Sequence, residues 1–156
     1  MMATGPVQVT RVAELVLATD PDMALELFEP VGEGRWASGW APRFIYPPDG
    51  TAEVGAVFAR DSNPASLWLI ADYDRDARRI VYAVFVPDVR VTRLEIQCVA
   101  DDSGTTRASI AYTHTSLGER GDAYLARFTE EHYAHEMGQW QSAIAAYLDG
   151  KPLVHH

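Results

Sequence analysis

His114 is the residue whose type and setting most invite acid–base chemistry. It sits near the end of a run, Thr105 to Thr115, in which alternation puts Ala108, Ile110, Tyr112 and His114 on one face and Arg107, Ser109 and Thr113 on the other. An imidazole there is expected to have a pKa suited to proton transfer around neutrality. Enolisation or dehydration of a poly-keto chain needs a base near an acidic carbon and donors near the carbonyl, roles open to His114, Tyr112 and Tyr82. A satisfied histidine at a strand end fits the same pattern, and the sequence identifies no second catalytic partner.

Other reactive side chains point to less. His132, His135 and Glu136 share a helical stretch, but the spacing is not His-Glu-x-x-His and no third ligand is fixed, so a solvated polar face is expected rather than a metal site. The clusters Asp72, Asp74, Asp76 and Asp101, Asp102, Gly104 lack the twelve-residue loop and closing glutamate of a calcium site and read as hairpin turns. Cys98, the single cysteine, falls on a dry face and is expected to be inert. No glycine-rich phosphate loop and no Gly-x-Ser-x-Gly is present, so neither a cofactor nor a metal is expected.

The elements that must position these groups follow from patterning. With 156 residues, 47% hydrophobic and 22% charged, one domain over residues 1–156 is expected, with an ordered core at about 7–150. Gln8 to Leu17 reads as a strand, and Thr19-Asp20-Pro21 as a cap opening a short helix to Phe28, since Pro30, Gly32 and Gly34 prevent its continuation. Apolar runs then recur at hairpin spacing: Glu53 to Ala59, Ser66 to Tyr73, Arg79 to Val86, Val91 to Ala100 and Thr105 to Thr115. From Gly121 to Leu148 the residues Tyr133, Met137, Trp140, Ile144 and Leu148 recur at helical steps, predicting one long amphipathic helix ended by Gly150 and Pro152, with Lys151 placed to favour its carboxyl end.

A lone helix leaves part of a twisted sheet uncovered, and the gap is either filled by side chains or left as a pocket. The predicted dry positions mix large aromatics (Trp68, Tyr82, Tyr112, Phe128, Trp140) with small residues (Gly55, Ala59, Ala83, Ala108), which favours a pocket over an aliphatic core. The segment Trp36-Ala37-Ser38-Gly39-Trp40 is read either as a lid at its mouth or as a structural plug. A formal charge of -9 repels phosphate backbones and anionic lipid, so nucleic acid is not an expected partner. No apolar run is long enough for a membrane span, and Met1 to Pro6 lacks the start of a signal peptide. A cytoplasmic protein, monomer or homodimer, is expected, and His155-His156 is set aside as a terminal pair of uncertain origin.

Several phrases carry a resemblance: Phe28-Glu29-Pro30-Val31-Gly32-Glu33 running into Arg35-Trp36-Ala37-Ser38-Gly39-Trp40, then Gly55-Ala56-Val57-Phe58, Tyr73-Asp74, Ile80-Val81-Tyr82, Tyr112 to Gly118, and Trp140 before Tyr147-Leu148. Across nearly the whole chain this resembles the START-like superfamily, which includes polyketide cyclases and the birch-pollen allergen. The resemblance implies an α+β helix-grip fold: a curved antiparallel sheet of six to seven strands around a long C-terminal helix, with two short helices after the first strand. It also implies a small hydrophobic or amphipathic ligand in the sheet–helix cavity, touched by Trp36, Trp40, Phe58, Trp68, Tyr82, Ile96, Tyr112, His114, Phe128 and Trp140. A cyclase-type enzyme using His114 with cavity tyrosines, and a chaperone-activator-like interaction domain, are the alternatives.

Overall fold

Alternation of half-buried and exposed residues makes Gln8–Leu17 the first strand, β1. In the computed structural model, which describes residues 7–150, Asp20 then accepts a hydrogen bond from the Met23 N–H at 2.9 Å and Pro21 opens α1 (Pro21–Leu27). A 3-10 turn, Gly32–Arg35, follows as the second short helix. Gly32 is required by close approach: a Cβ there would lie 1.7 Å from the Glu26 carbonyl oxygen, so only glycine lets this turn seat against α1.

Six more strands complete one sheet: β2 (Arg43–Tyr46), β3 (Val57–Arg60), β4 (Ser66–Asp74), β5 (Arg79–Val86), β6 (Arg90–Ala100) and β7 (Thr106–Ser116). Their order is β1-β7-β6-β5-β4-β3-β2, and every neighbouring pair is antiparallel. The meander is thus closed on one side by the first strand, which pairs with the last from Gln8↔Thr115 to Leu17↔Thr106. β2 is an addition to the expected strands, and the run expected from Glu53 is ordered as a strand only from Val57. The alternation expected for β6 and β7 is present: Leu94, Ile96, Cys98, Ala108, Ile110 and His114 are buried.

The expected single helix from Gly121 is two helices, α2 (Glu119–Arg127) and α3 (Glu130–Leu148). Phe128 leaves the helical region at φ -86, ψ 62, and Thr129 caps α3 by accepting from the His132 N–H at 3.1 Å. Glu130 and Glu131 in the first turn of α3 complement its dipole. The Phe128 carbonyl freed by the break accepts from Arg11 Nε at 3.2 Å, so the interruption leaves no orphan there. Gly150 follows α3 at φ +76, the left-handed stop expected of it; Lys151, Pro152, His155, His156 and Met1 to Pro6 lie outside the described residues.

α3 is held to the sheet at both ends of its buried stripe. Tyr133 donates its hydroxyl to the Ile110 carbonyl at 2.6 Å, and Gln141 exchanges hydrogen bonds with Val16 N–H (2.9 Å) and C=O (2.5 Å) on the free edge of β1. Tyr133, Met137 and Ile144 join Leu15, Leu17, Ile80, Leu94, Ile96 and Ile110 in one core, where each fully buried aliphatic contributes roughly 1.5–3 kcal/mol. α2 is docked by Gly121, whose Cβ would fall 2.0 Å from the Val89 carbonyl oxygen at the β5–β6 turn. Among the described residues no helix is long and apolar enough to cross a membrane.

Candidate functional site

Beyond the Ile110–Tyr133 layer the sheet and α3 separate, and a cavity of about 250 Å³ opens between them. Its floor is Val84 on β5, Thr92 on β6, and Tyr112 and His114 on β7. Trp68 on β4 and Arg60 on β3 form one wall, Glu33, Trp36 and Trp40 from the 3-10 turn and its exit another, and Tyr124, Phe128, Glu136 and Trp140 from α2 and α3 the roof. The rings brace one another edge to face: Trp36 on Trp140 at 5.4 Å, Trp40 on Trp68 at 5.5 Å and Tyr112 on Trp140 at 6.4 Å between centroids.

The Trp36–Trp40 segment is anchored. Trp36, 3% exposed, donates its indole N–H to the Leu27 carbonyl at 2.6 Å, and Trp40 donates to Pro30 at 2.7 Å. Both indoles are therefore walls tied to the end of α1, with their donors already used.

His114 is 1% exposed and stands at the end of a relay. Arg90 donates to the Thr92 hydroxyl (2.5 Å), which lies 2.6 Å from His114 Nδ1. With the Thr92 oxygen accepting from Arg90, its hydroxyl hydrogen is free to donate to Nδ1, which places the ring proton of the neutral imidazole on Nε2. That Nε2 is buried without a partner among the described residues. The expectation of a near-neutral imidazole is overturned: burial first, and the Arg90 charge second, push its pKa down to about 3. At pH 7 His114 is a neutral donor into an aromatic surrounding, with Phe128 at 4.2 Å and Tyr124 at 5.1 Å between ring centroids.

Glu33 supplies the opposite case. It is 8% exposed, and burial pushes its carboxyl up to about 8 against the opposing pull of Arg60. Near neutrality it is protonated, so the cavity holds a neutral acid and a neutral imidazole. Burial, then the neighbouring Glu33 carboxyl, raises Tyr112 well above the ordinary phenol range.

The cavity continues into an outer cleft of about 560 Å³, sharing Arg60, Trp68, Arg90 and Tyr124 with it. Arg120 and Arg127 of α2 line the far side.

This frame, a meander closed by its first strand and gripping a C-terminal helix over a cavity, has solved counterparts. Norcoclaurine synthase from Thalictrum flavum, in complex with dopamine and hydroxybenzaldehyde, is 13% identical with a TM-score of 0.63, over 99% of this chain and 98% of that one. A hypothetical protein from Helicobacter pylori is 10% identical with a TM-score of 0.71, over 89% of this chain and 87% of its own. Ara h 8.0201 is 13% identical with a TM-score of 0.56, over 92% of this chain and 96% of that one. The chain has the helix-grip α+β fold of these structures. No family model matches the sequence, and no curated protein matches it either.

Within this helix-grip frame, seven of the residues expected to touch a ligand, Trp36, Trp40, Trp68, Tyr112, His114, Phe128 and Trp140, line the one cavity just described. Phe58, Tyr82 and Ile96 lie behind it in the buried core, where Tyr82 donates its hydroxyl to the Phe28 carbonyl at 2.7 Å. Of the small residues read as dry, Ala59 and Ala108 are buried, whereas Gly55 is exposed and Ala83 points to the outer side of β5. His132 pairs with Glu136 at 3.4 Å, and among the described residues no three His, Cys, Asp or Glu side chains converge as a metal site would need. Cys98 is buried, and burial pushes its thiol up to about 12.

Glu33, Arg60, Arg90, Thr92 and Tyr124 were not singled out by sequence as site residues, and Glu136, read there as part of a solvated polar helix face, lines the cavity. Thr92 had a signal: counting back symmetrically from the Asp101–Thr105 turn places it opposite His114. For Glu33 and the arginines, side-chain type and parity point to solvent, and only their tertiary neighbours say otherwise.

Proposed function

We propose that the protein binds a small amphipathic aromatic or otherwise apolar molecule in the cavity between the sheet and α3. The observation that carries this reading is a chamber walled by Trp36, Trp40, Trp68, Tyr112, Phe128 and Trp140 that sets polar groups, Glu33, Arg60, Arg90, Thr92, His114 and Glu136, among the rings. Apolar walls with a small number of placed polar groups are the pattern of ligand sites. At about 250 Å³ the chamber falls below the roughly 300 Å³ at which drug-sized pockets begin, which suits a body of one or two rings. The small aromatics in the norcoclaurine synthase complex are of that size class and support the reading by analogy of fold alone.

Native mass spectrometry of purified protein, followed by titration of tryptophan fluorescence with one- and two-ring probes, tests it. A saturable change is expected because Trp36, Trp40, Trp68 and Trp140 all face the cavity. A folded protein that binds none of the probes and carries no small molecule would sink it.

A second reading, proton-transfer catalysis in the same chamber, is favoured by one observation: Glu33 exchanges its proton at about pH 8, close to neutrality, where His114 does not. It replaces His114 by Glu33 as the acid–base group, with Tyr112 as a donor. A turnover number unchanged in Glu33→Gln, on any substrate found, would remove it.

A further inference from the structure

The arginines of this chain divide into two groups. Arg11, Arg43, Arg78, Arg79, Arg93 and Arg107 each have a carboxylate within ion-pair distance. Arg35, Arg60, Arg75, Arg90, Arg120 and Arg127 have none among the described residues, and four of these six, Arg60, Arg90, Arg120 and Arg127, line one outer cleft, whose walls contain no Asp or Glu. In a chain of net charge -9, so local a concentration of unneutralised cations is a feature that folding has to hold together against self-repulsion.

Two of the four are held in place. Arg60 lies over the Trp40 ring at 4.7 Å, and Arg90 over the Tyr124 ring at 4.4 Å while donating to Thr92 at 2.5 Å. Stacking occupies the face of a guanidinium and leaves in-plane N–H donors for a planar or tetrahedral oxyanion beyond the one Arg60 gives the Gly39 carbonyl at 3.4 Å and the one Arg90 gives Thr92. Arg120 and Arg127 are exposed on α2, one turn to either side of Tyr124, and Arg120 sits in the first turn, where a cation opposes the helix dipole. Arg60, Arg90 and Tyr124 also face the inner chamber, so the cationic cleft and the aromatic chamber form one path.

We propose that the arginine-lined cleft is a headgroup subsite, taking the carboxylate or phosphate of a small amphipathic acid whose ring body lies in the aromatic chamber. The inference rests on the ligand-binding reading above and adds the ligand's charge and orientation. Charge-assisted bonds to Arg60 and Arg90 fix the oxyanion, and Arg120 and Arg127 draw it in from solvent. The overall negative charge of the protein disfavours a polyanion, so a small acid fits this recess and a nucleic acid does not.

The test is calorimetric titration of the folded protein at pH 7 with three probes that share one ring system: 2-naphthol, 2-naphthoate and 2-naphthyl phosphate. Each of the acids, or whichever one matches the natural headgroup, is expected to bind about tenfold or more tighter than the neutral alcohol. This advantage is expected to shrink in high salt and in Arg60→Gln and Arg120→Gln/Arg127→Gln proteins; in the double variant, whose two arginines line only the outer cleft, 2-naphthol affinity stays within about twofold, and near-ultraviolet circular dichroism checks the fold of Arg60→Gln. A larger gain for phosphate or for carboxylate names the source of the oxyanion. Naphthol binding as tightly as both acids, or an acid preference that survives both arginine variants, overturns the subsite and leaves the cavity reading standing. No saturable binding of any of the three overturns both.

Discussion

At the scale of single residues, Glu33 and His114 show how one chamber shifts two groups in opposite directions. Burial disfavours the charged form of each, so the carboxyl rises to about 8 and the imidazole falls to about 3. The consequences for stability have opposite sign. Between 4.5 and about 8 the folded state binds more protons at Glu33 than the unfolded chain does, so this contribution is full below 4.5 and is lost as pH rises through about 8. Between about 3 and 6.5 the unfolded chain binds more protons at His114, so that contribution is present above 6.5 and is lost as pH falls. Urea unfolding of Glu33→Gln across this range is expected to lose the decline above pH 6.5 and keep the acid-side loss. A profile that matches the parent would refute the buried carboxyl. The same ionisation should weaken acid binding above about pH 8, because the Glu33 charge then competes for Arg60; Tyr82, Tyr112, His114 and Glu136 are the other titratable groups around it. Thr92→Val, which keeps the shape and breaks the Arg90–Thr92–His114 relay, is expected to cost about 1–3 kcal/mol by leaving His114 Nδ1 buried and unpaired. His114 and Tyr112 were legible from parity, since alternation puts them on the dry face. Glu33 was not, because a glutamate between two glycines reads as a solvated turn until Gly32 is seen pressed against α1.

At the scale of elements, the break between α2 and α3 is what makes the roof. If the helix ran unbroken from Gly121 the axis would stay straight; with Phe128 out of the helical region, its ring packs edge-on to His114 at 4.2 Å and α2 turns toward the β5–β6 corner. The signal was present in Thr129 followed by Glu130 and Glu131, a good N-cap with an acidic first turn, but the continuing helical propensity on both sides hid it. Thr129→Ala should destabilise by about 1 kcal/mol in denaturant unfolding, the usual value for a lost cap. Gly121→Ala asks more of the structure, since its Cβ would meet the Val89 carbonyl at 2.0 Å and α2 has to move. Its expected signature is a lower melting temperature together with a smaller preference for naphthoate over naphthol, because Arg120 and Arg127 travel with α2; an unchanged preference would show that α2 does not set the headgroup subsite. The strands were more readable than the helices, as hairpin turns at Asp74-Arg75-Asp76 and Asp101 to Gly104 mark their ends. β2 escaped because it is four residues long, at the sheet edge, and in a segment dominated by tryptophan, glycine and proline.

At the scale of the whole molecule, charge is arranged against its own average. The net of -9 describes the surface as a repeller of anions, yet the cleft over the cavity gathers four arginines with no carboxylate partner among the described residues. Saturating 2-naphthoate should therefore raise the melting temperature in low salt, with about 2.7 kcal/mol of stabilisation expected at a hundred times its dissociation constant. The increase should fall in high salt more than that given by 2-naphthol at equal saturation.

Composition, alternation and turn spacing by themselves determined that this chain makes an antiparallel meander followed by a C-terminal helical region, and which face of β6 and β7 is dry. These are local properties, since strand parity and hairpin symmetry follow from backbone geometry within a few residues. Tertiary structure alone decided what stands across the cavity from His114. Glu33, Arg60, Arg90, Tyr124 and Glu136 come from five separate segments, and the protonation of Glu33 and of His114 depends on which of those neighbours exclude water. Desolvation and long-range pairing are sums over the folded surroundings, and no spacing along the chain encodes them.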